Sequence, residues 1–200
     1  MNVIIITYPT PKDIKKIISI NADDYIISVD QATAHAKQQG IDIDLAVGDF
    51  DSLNDLSILN DINCEKLNVI KDVTDTHYAL IKAMAKNPDA IYLIGGMGGD
   101  RIEHFFAHTL LFDLYPKLIM KDELTEIRRI DQGVFHTTFD GHISIFAYPR
   151  ALISLKGFKY PLLSYDLNTY DPLGISNELT AQKGDIHVHE GAILVFLTKK

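Results

Sequence analysis

The amino-acid sequence is poor in cysteine: among its 200 residues, only Cys64 carries a thiol. A lone cysteine cannot form an internal disulfide, which excludes the disulfide-rich class of small secreted domains and favours a reducing compartment. It also offers none of the paired cysteine spacings that hold structural zinc. We therefore expect a cytoplasmic protein without a disulfide framework.

Long apolar runs are absent as well. The first apolar run covers only residues 3–6 and follows no basic segment, so we do not expect a signal peptide. No run approaches the roughly 18 apolar residues that a membrane-spanning helix needs. Apolar residues at 46% and charged residues at 23% are ordinary globular values, which excludes a disordered or fibrous chain.

Basic residues are outnumbered, because 19 lysines and arginines stand against 27 aspartates and glutamates, a formal charge of −8. Such a chain lacks the basic face that binding to a nucleic-acid backbone requires. A nucleotide substrate is still compatible with this charge, since a divalent cation can bridge carboxylates to phosphates. We expect small-molecule substrates and neither a nucleic acid nor a membrane as partner.

The first 120 residues alternate short apolar runs with helix-like stretches. The apolar runs lack polar–apolar alternation, which is typical of parallel strands covered on both faces. In such a sheet, ligands bind beyond the carboxyl ends of the strands. The predicted strands are residues 3–6, 25–29, 44–47, 66–70 and 91–94, and the predicted helices are residues 11–21, 32–39, 53–61, 74–86 and 102–114.

After about residue 122 the pattern changes to short, partly alternating, β-rich runs separated by turn signals, including Pro149 and Glu190-Gly191. The predicted strands are residues 134–139, 142–148, 151–155, 185–189 and 192–197. We predict two domains. Residues 1–121 form an α/β domain with a mostly parallel, Rossmann-like sheet, and residues 122–200 form a small all-β sandwich or barrel.

Aspartates follow three of the predicted strands: Asp30, the pair Asp49 and Asp51, and the pair Asp72 and Asp75. Like charges about 4 Å apart repel by roughly 4 kcal/mol at an effective dielectric of 20. Carboxylates gathered at one sheet edge therefore predict a bound cation, and Mg²⁺ prefers oxygen ligands and substrate phosphates. The alternative is that each pair only caps a helix. Two pairs and a fifth aspartate on one edge favour the metal site.

A glycine-rich loop at residues 95–99 follows a predicted strand and precedes a predicted helix. Such a loop can donate backbone N–H groups to phosphates, and the helix N-terminus also favours an anion. Arg101 adds a guanidinium suited to phosphate oxygens, and Lys71 is a second candidate ligand. Neither a Walker A loop nor a GxGxxG spacing is present, and glycines at such a turn are often only steric.

In the β-rich half, Ser176 and Asn177 follow a glycine turn at Gly174. A Ser-Asn pair could hydrogen-bond a small heterocycle. The alternative, a turn capped by its own serine and asparagine side chains, explains the pair equally well.

Five segments occur in a characteristic order. They are Gly-Asp-Phe-Asp-Ser at 48–52, Lys-Asp-x-Thr-Asp at 71–75, the glycine, arginine and histidine run at 95–104, Leu-Lys-Gly-x-Lys-Tyr-Pro-Leu at 155–162 and Gly-x-Ser-Asn-Glu at 174–178. Together they resemble the thiamine pyrophosphokinase (thiamine diphosphokinase) family over nearly the whole chain.

The resemblance implies transfer of pyrophosphate from ATP to the hydroxyethyl group of thiamine, giving thiamine diphosphate and AMP, with Mg²⁺ as cofactor. It implies an ATP- and Mg²⁺-binding N-terminal domain, a thiamine-binding C-terminal domain, and a homodimer with thiamine near the dimer interface. By motif, the catalytic and metal positions fall on Asp49, Asp51, Asp72 and Asp75. The substrate-binding positions fall on Asp30, Lys71, Thr74, Gly98, Gly99, Arg101, His104, Ser176 and Asn177.

The sequence departs from the family pattern at three places. The usual Asp-Gly-Gly reads Asp-Gln-Ala at 30–32, the usual Gly-Gly-Arg-x-Asp-His gains a residue and has Glu103 for its aspartate, and the expected asparagine one turn later is His108. Because the chain has no tryptophan, ring stacking on thiamine must use tyrosine, phenylalanine or histidine.

Three alternatives are open at this point. Asp49 could be the nucleophile of a haloacid-dehalogenase-like phosphatase, although the second acidic pair then comes one strand too early. The same transfer could use a hydroxymethylpterin alcohol as acceptor. Finally, the altered glycine loop is compatible with an inactive thiamine- or nucleotide-binding protein.

Overall fold

A computed structural model describes residues 1–68 and 72–200. The chain divides into two compact units, Met1–Glu123 and Leu124–Lys200. Each unit has its own cluster of buried apolar side chains. None of the helices in the described ranges is long and apolar enough to cross a membrane.

The first unit is built on parallel strands in the order β6-β5-β1-β2-β3-β4. All five residues of the central β1 are buried, as expected for a strand covered on both faces. The strands are β1 (Val3–Thr7), β2 (Tyr25–Val29), β3 (Leu45–Gly48), β4 (Cys64–Lys66), β5 (Ile91–Gly95) and β6 (Leu118–Lys121). The helices are α1 (Ile14–Ile17), α2 (Ala32–Gln38), α3 (Asp75–Met84) and α4 (Ile102–Leu110).

The second unit contains antiparallel pairs, in which β11 pairs with β7, β8 and β9, and β9 also pairs with β10. Burial alternates along β9, so one face contributes to the core. The strands are β7 (Thr125–Ile130), β8 (Gly133–Thr137), β9 (His142–Lys156), β10 (Leu162–Asn168) and β11 (Gly184–Thr198). Taken over the whole chain, strand pairing is therefore mixed, and the C-terminal part is a β domain.

Two predicted helices are shorter than expected. The helix predicted at 11–21 is the four-residue α1, because the backbone is already extended at Ile18, and β-branched residues such as isoleucine favour that conformation. The helix predicted at 53–61 is a 3₁₀ turn, Leu56–Leu59, which Asp55 begins by accepting a hydrogen bond from the Ser57 N–H. The strand predicted at 66–70 instead covers Cys64–Lys66, and residues 69–71 lie outside the described ranges.

The predicted turns at Pro149 and Glu190-Gly191 do not end strands. Strands β9 and β11 each run for 15 residues through these positions. The pairing of β11 with β9 shifts register on both sides of this point, between Val188 and Glu190 and between Gly191 and Ile193. Gly191 has φ +77°, and a Cβ there would lie 2.0 Å from the Arg150 carbonyl oxygen. The glycine thus forms a bulge that bends the strand without ending it.

Candidate active site

A cavity of about 360 Å³ lies in the first unit, at the carboxyl ends of its strands. β1 and β2 each end at the cavity, and the segments after β3 and β5 also reach it. This is the edge at which open parallel sheets bind ligands. Its lining residues are Thr7, Tyr8, Pro9, Val29, Asp30, Gln31, Asp49, Thr74, Asp75, Thr76, Gly98, Asp100, Arg101 and His104.

Asp30, Asp49 and Asp51 form a carboxylate triad. One oxygen from each residue lies within 4.8 Å of the other two. Asp30 Oδ1 is buried and has no hydrogen-bond partner among the described residues. Burial raises the pKa of Asp30, and the negative charges of Asp49, Asp51 and Asp75 raise it further. The triad is therefore a site of concentrated negative charge with one buried oxygen that no described residue hydrogen-bonds.

The backbone around Gly48 brings two strand ends together. A Cβ at Gly48 would lie 3.1 Å from the Asp30 backbone nitrogen and Cα, and Gly48 has φ +151°. The Asp30 N–H donates to the Val47 carbonyl oxygen at 2.8 Å. Asp30 itself has φ +47°. The close approach permitted by glycine therefore places Asp30 beside the loop that carries the other two carboxylates.

The loop after β3 is anchored by a buried side chain between two acidic ones. Phe50 is buried and has φ +60°. Asp49 Oδ1 accepts a hydrogen bond from the Asp51 N–H at 3.2 Å, which is a local aspartate turn. Asp49 is half-buried and Asp51 is exposed.

The N-terminus of α3 forms another part of the cavity wall. Thr74 is the N-cap, and its hydroxyl accepts a hydrogen bond from the His77 N–H at 3.2 Å. Asp75 occupies the first turn, where the helix dipole stabilises a carboxylate. Thr76 and Thr7 share a buried hydrogen bond of 3.1 Å between their hydroxyls. This bond fixes the start of α3 to the end of β1.

Replacement of Thr74 by alanine is expected to destabilise the protein by about 1 kcal/mol, because the cap hydrogen bond to His77 is lost. Thr74→Ser keeps the hydroxyl, so its free energy of unfolding is expected to stay within a few tenths of a kcal/mol of the wild-type value. Urea unfolding of the three proteins measures both values. Equal losses in the serine and alanine variants would contradict the capping role.

The segment between β5 and α4 contributes Gly98 and Arg101 to the cavity, and the first turn of α4 contributes His104. Arg101 is exposed, with Nε 3.3 Å from the Glu103 carboxylate, and His104 is half-buried. Arg101 therefore lines the cavity, and its guanidinium forms a surface ion pair with Glu103, a contact of small energy.

Some predicted residues lie outside the cavity lining. Asp72 is exposed and does not line the cavity in the described ranges. Gly99 lies against Pro9, since a Cβ there would be 3.1 Å from the Pro9 Cγ. Lys71 lies outside the described residues. The roles predicted for all three residues stay predictions.

Seven lining residues were not predicted as site residues from the sequence: Thr7, Tyr8, Pro9, Val29, Gln31, Thr76 and Asp100. The rule that ligands bind at the carboxyl ends of parallel strands could have found the first three, because Thr7 ends β1 and Tyr8 and Pro9 follow it. Tyr8 is 45% exposed and is an aromatic ring available at the cavity.

Two family models match the chain. One, described as the thiamin pyrophosphokinase catalytic domain, covers residues 18–119, and the other, described as the thiamin pyrophosphokinase vitamin B1 binding domain, covers residues 126–193. The thiamine pyrophosphokinase of Bacillus subtilis (strain 168) is 30% identical over 184 residues, covering 84% of this chain and 85% of that protein. The chain belongs to the thiamine pyrophosphokinase family.

Solved structures agree with this membership. The crystal structure of the thiamine pyrophosphokinase from Bacillus subtilis has a TM-score of 0.86 at 26% identity and covers all of both chains. That of the thiamin pyrophosphokinase from Geobacillus thermodenitrificans has a TM-score of 0.87 at 25% identity, covering 100% of this chain and 98% of that one. Membership of the thiamine pyrophosphokinase family confirms the predicted enzyme class, formation of thiamine diphosphate from thiamine, and favours none of the three alternatives.

The predicted residues of the second unit differ in exposure. Asn177 is buried, and its Oδ1 accepts from the Tyr160 and Glu178 N–H groups at 3.1 and 2.9 Å. Its Nδ2 donates to the Tyr160 carbonyl oxygen at 2.8 Å. Ser176 is exposed with φ +54°, and its N–H donates to the Ser144 hydroxyl at 3.0 Å. Asn177 thus binds neighbouring backbone, whereas Ser176 is open to solvent.

Proposed function

We propose that the cavity of the first unit binds ATP together with Mg²⁺, and that ATP donates its β,γ-pyrophosphoryl group to the hydroxyethyl oxygen of thiamine. The observation that carries this proposal is the triad of Asp30, Asp49 and Asp51 at the carboxyl edge of the sheet. Phosphoryl transfer depends on positioning and charge neutralisation more than on covalent chemistry by the protein. A carboxylate cluster beside a glycine-rich loop supplies both.

The triad fits a magnesium ion. Its three ligand groups are all carboxylates, the oxygen donors that Mg²⁺ prefers. The buried Asp30 Oδ1, which no described residue hydrogen-bonds, is the atom that a cation would satisfy. Asp30, Asp49 and Asp51 would hold the ion, with Asp72 and Asp75 as further acidic groups of the same edge. Bound there, Mg²⁺ offsets the negative charge of the triphosphate.

The remaining cavity residues position the reacting groups. The Arg101 guanidinium and the backbone near Gly98 bind phosphate oxygens, and His104 and Thr74 also line the cavity. The thiamine hydroxyl oxygen forms a bond to the β-phosphorus as the bond from that phosphorus to the α,β-bridging oxygen breaks, and AMP leaves. The hydroxyl proton passes to a cavity carboxylate, Asp75 or Asp49. We assign the role of proton acceptor to Asp75, because Asp49 belongs to the triad that would hold the metal ion.

We further propose a division of labour between the two parts of the chain. Residues 1–121 form the Rossmann-like catalytic domain, and residues 122–200 bind thiamine, which the match to a vitamin B1 binding domain supports. There the exposed Ser176 would meet thiamine, and Asn177 would fix the backbone near Tyr160. The family resemblance supports a homodimer with thiamine near its interface.

The direct test is incubation with thiamine, ATP and Mg²⁺, with products scored by mass. We expect AMP and thiamine diphosphate in equal amounts, loss of both with excess chelator, and recovery when Mg²⁺ is restored. A parallel reaction with a hydroxymethylpterin alcohol is expected to give no diphosphate ester. Release of ADP or phosphate in place of AMP, or full turnover in chelator, would contradict the proposal.

A further inference from the structure

His108 is a buried histidine of α4 that contacts the glycine-rich loop. It is 2% exposed, and its Nδ1 lies 3.1 Å from the Gly96 carbonyl oxygen. Because a carbonyl oxygen only accepts, Nδ1 must carry the hydrogen and donate it. Nε2 is also buried and has no hydrogen-bond partner among the described residues. The geometry therefore selects the neutral ring with hydrogen on Nδ1, since a second hydrogen on Nε2 would have no acceptor there.

The surroundings of His108 favour the same neutral state. Burial lowers its pKa, the hydrogen bond to Gly96 opposes this shift, and the nearby His104 lowers the pKa further. The two rings meet edge to face, with centroids 6.4 Å apart. His104 lines the cavity, whereas His108 does not.

Gly96 is enclosed by this ring on one side and by the end of β1 on the other. A Cβ at Gly96 would lie 2.7 Å from Thr7 Cγ2 and 3.0 Å from both His108 Cε1 and Nδ1. The Gly96 N–H also donates to the Pro9 carbonyl oxygen at 3.1 Å. Both backbone groups of Gly96 are thus bonded, one to the segment after β1 and one to α4.

The loop that starts at Gly96 ends at the helix that carries His108. Between these two points lie Gly98 and Arg101, which line the cavity, and His104 lies one helical turn before His108. The bond from His108 to Gly96 therefore links the start of the loop to the helix at its end. Loss of this hydrogen bond would therefore change the conformation of the loop that positions Gly98 and Arg101.

We propose that His108 is a positioning residue, whose neutral ring fixes Gly96 and thereby holds the loop 96–101 in the shape that binds the triphosphate. The proposal rests on the assignment of this cavity to ATP. His108 acts through Gly96 and does not touch the substrate. Its expected effect is on ATP, not on thiamine.

Two substitutions separate the hydrogen bond from the volume of the ring. An asparagine side chain carries an N–H donor at a position similar to imidazole Nδ1, so His108→Asn can keep the bond to Gly96. His108→Leu fills a similar space without a donor and leaves a buried carbonyl oxygen unsatisfied. We expect His108→Leu to raise the KM for ATP about 10-fold and to leave the KM for thiamine within 2-fold of wild type. In His108→Asn, both KM values are expected to stay within about 3-fold of wild type. Phe106→Leu, an exposed residue of the same helix, is the control and is expected to leave both constants unchanged.

The tautomer gives a readout that does not depend on turnover. In protein labelled with ¹⁵N-histidine, we expect the signal of a histidine with a protonated Nδ1 and a bare Nε2. This signal should disappear in His108→Asn and be present in the wild-type protein whether or not ATP is bound. Hydrogen on Nε2 in place of Nδ1 would overturn the proposal. So would an unchanged KM for ATP in His108→Leu, or equal increases in the leucine and asparagine variants. If His108→Leu does not fold, the wild-type spectrum still tests the hydrogen bond to Gly96. The proposal would then also be contradicted if the KM for ATP of His108→Asn rose by more than about 3-fold. A wild-type protein that forms no thiamine diphosphate would refute the proposed function, and the spectrum would still report on the bond to Gly96.

Discussion

Replacement of Asp49 by asparagine is expected to lower the rate of thiamine diphosphate formation about 10²–10³-fold, the usual effect of removing one preorganised group that stabilises transition-state charge. Asp49 belongs to the triad and also lines the cavity. Asparagine preserves the shape of the side chain, and its carbonyl oxygen can still accept from the Asp51 N–H. The charge is therefore the main property that changes. Initial rates at saturating ATP and thiamine, with the melting temperature of each protein, measure the effect.

The matched control is Asp55→Asn. Asp55 is an exposed aspartate a few residues further on, and its carboxylate accepts from the Ser57 N–H at 2.8 Å. Asparagine caps a helical turn about as well as aspartate does, so we expect activity within 2-fold of wild type. An Asp49→Asn protein that kept more than a tenth of the wild-type rate would show that the triad is not the charged centre of the reaction.

The location of the cavity can be predicted from the sequence, because the rules that predict it depend only on local sequence pattern. The buried run at 3–6 and the other apolar runs of the first unit are continuous, which is how strands covered on both faces read. Once these strands are parallel, the residues after them must share one edge. That rule predicts Asp30, Asp49 and Asp75 at a common site, and the structure has all three at the cavity.

The composition of the triad could not be read from local pattern. Spacing alone groups Asp49 with Asp51 and Asp72 with Asp75, whereas the ligand oxygens that come together belong to Asp30, Asp49 and Asp51. Asp30 enters because Gly48 lets two backbones approach, a contact between segments distant in sequence. The bond between His108 and Gly96 is equally invisible in the sequence.

Strand ends in the second unit were missed for a related reason. Glycine and proline usually signal turns, but at Gly191 the glycine serves a bulge within a long strand. Strands β7 and β10 were also not predicted, since their charged and polar residues weaken the apolar signal. Whether such a segment forms a strand depends on the neighbouring strand against which it pairs, and a single sequence does not reveal that neighbour.

Replacement of Asp30 by asparagine is expected to stabilise the protein without Mg²⁺ and to abolish its response to Mg²⁺. The pKa of Asp30 is raised above the ordinary 3.8, first by burial and then by the charges of Asp49, Asp51 and Asp75. At neutral pH the ionised Asp30 therefore costs folding free energy. This cost decreases as the pH falls through the folded-state pKa and is gone below the ordinary pKa of 3.8. Because Asp30 is half-buried, water screens part of the effect. We expect a gain in melting temperature of about 2–4 °C, the shift that 1 kcal/mol produces in a protein of this size.

Added Mg²⁺ should reverse the order of the two proteins. A ligand that binds only the folded state stabilises it by mass action, so wild type gains stability with Mg²⁺ and Asp30→Asn does not. Asp24→Asn is the control of opposite sign. Burial raises the pKa of Asp24, but hydrogen bonds from Asn21 and Asn2 outweigh burial and lower it, so this variant is expected to lose stability and keep the Mg²⁺ response. Thermal melts of the three proteins, with and without Mg²⁺, measure both effects. A lower melting temperature for Asp30→Asn in chelator, or an undiminished Mg²⁺ response, would show that its carboxylate is satisfied by the protein alone and is not part of a cation site.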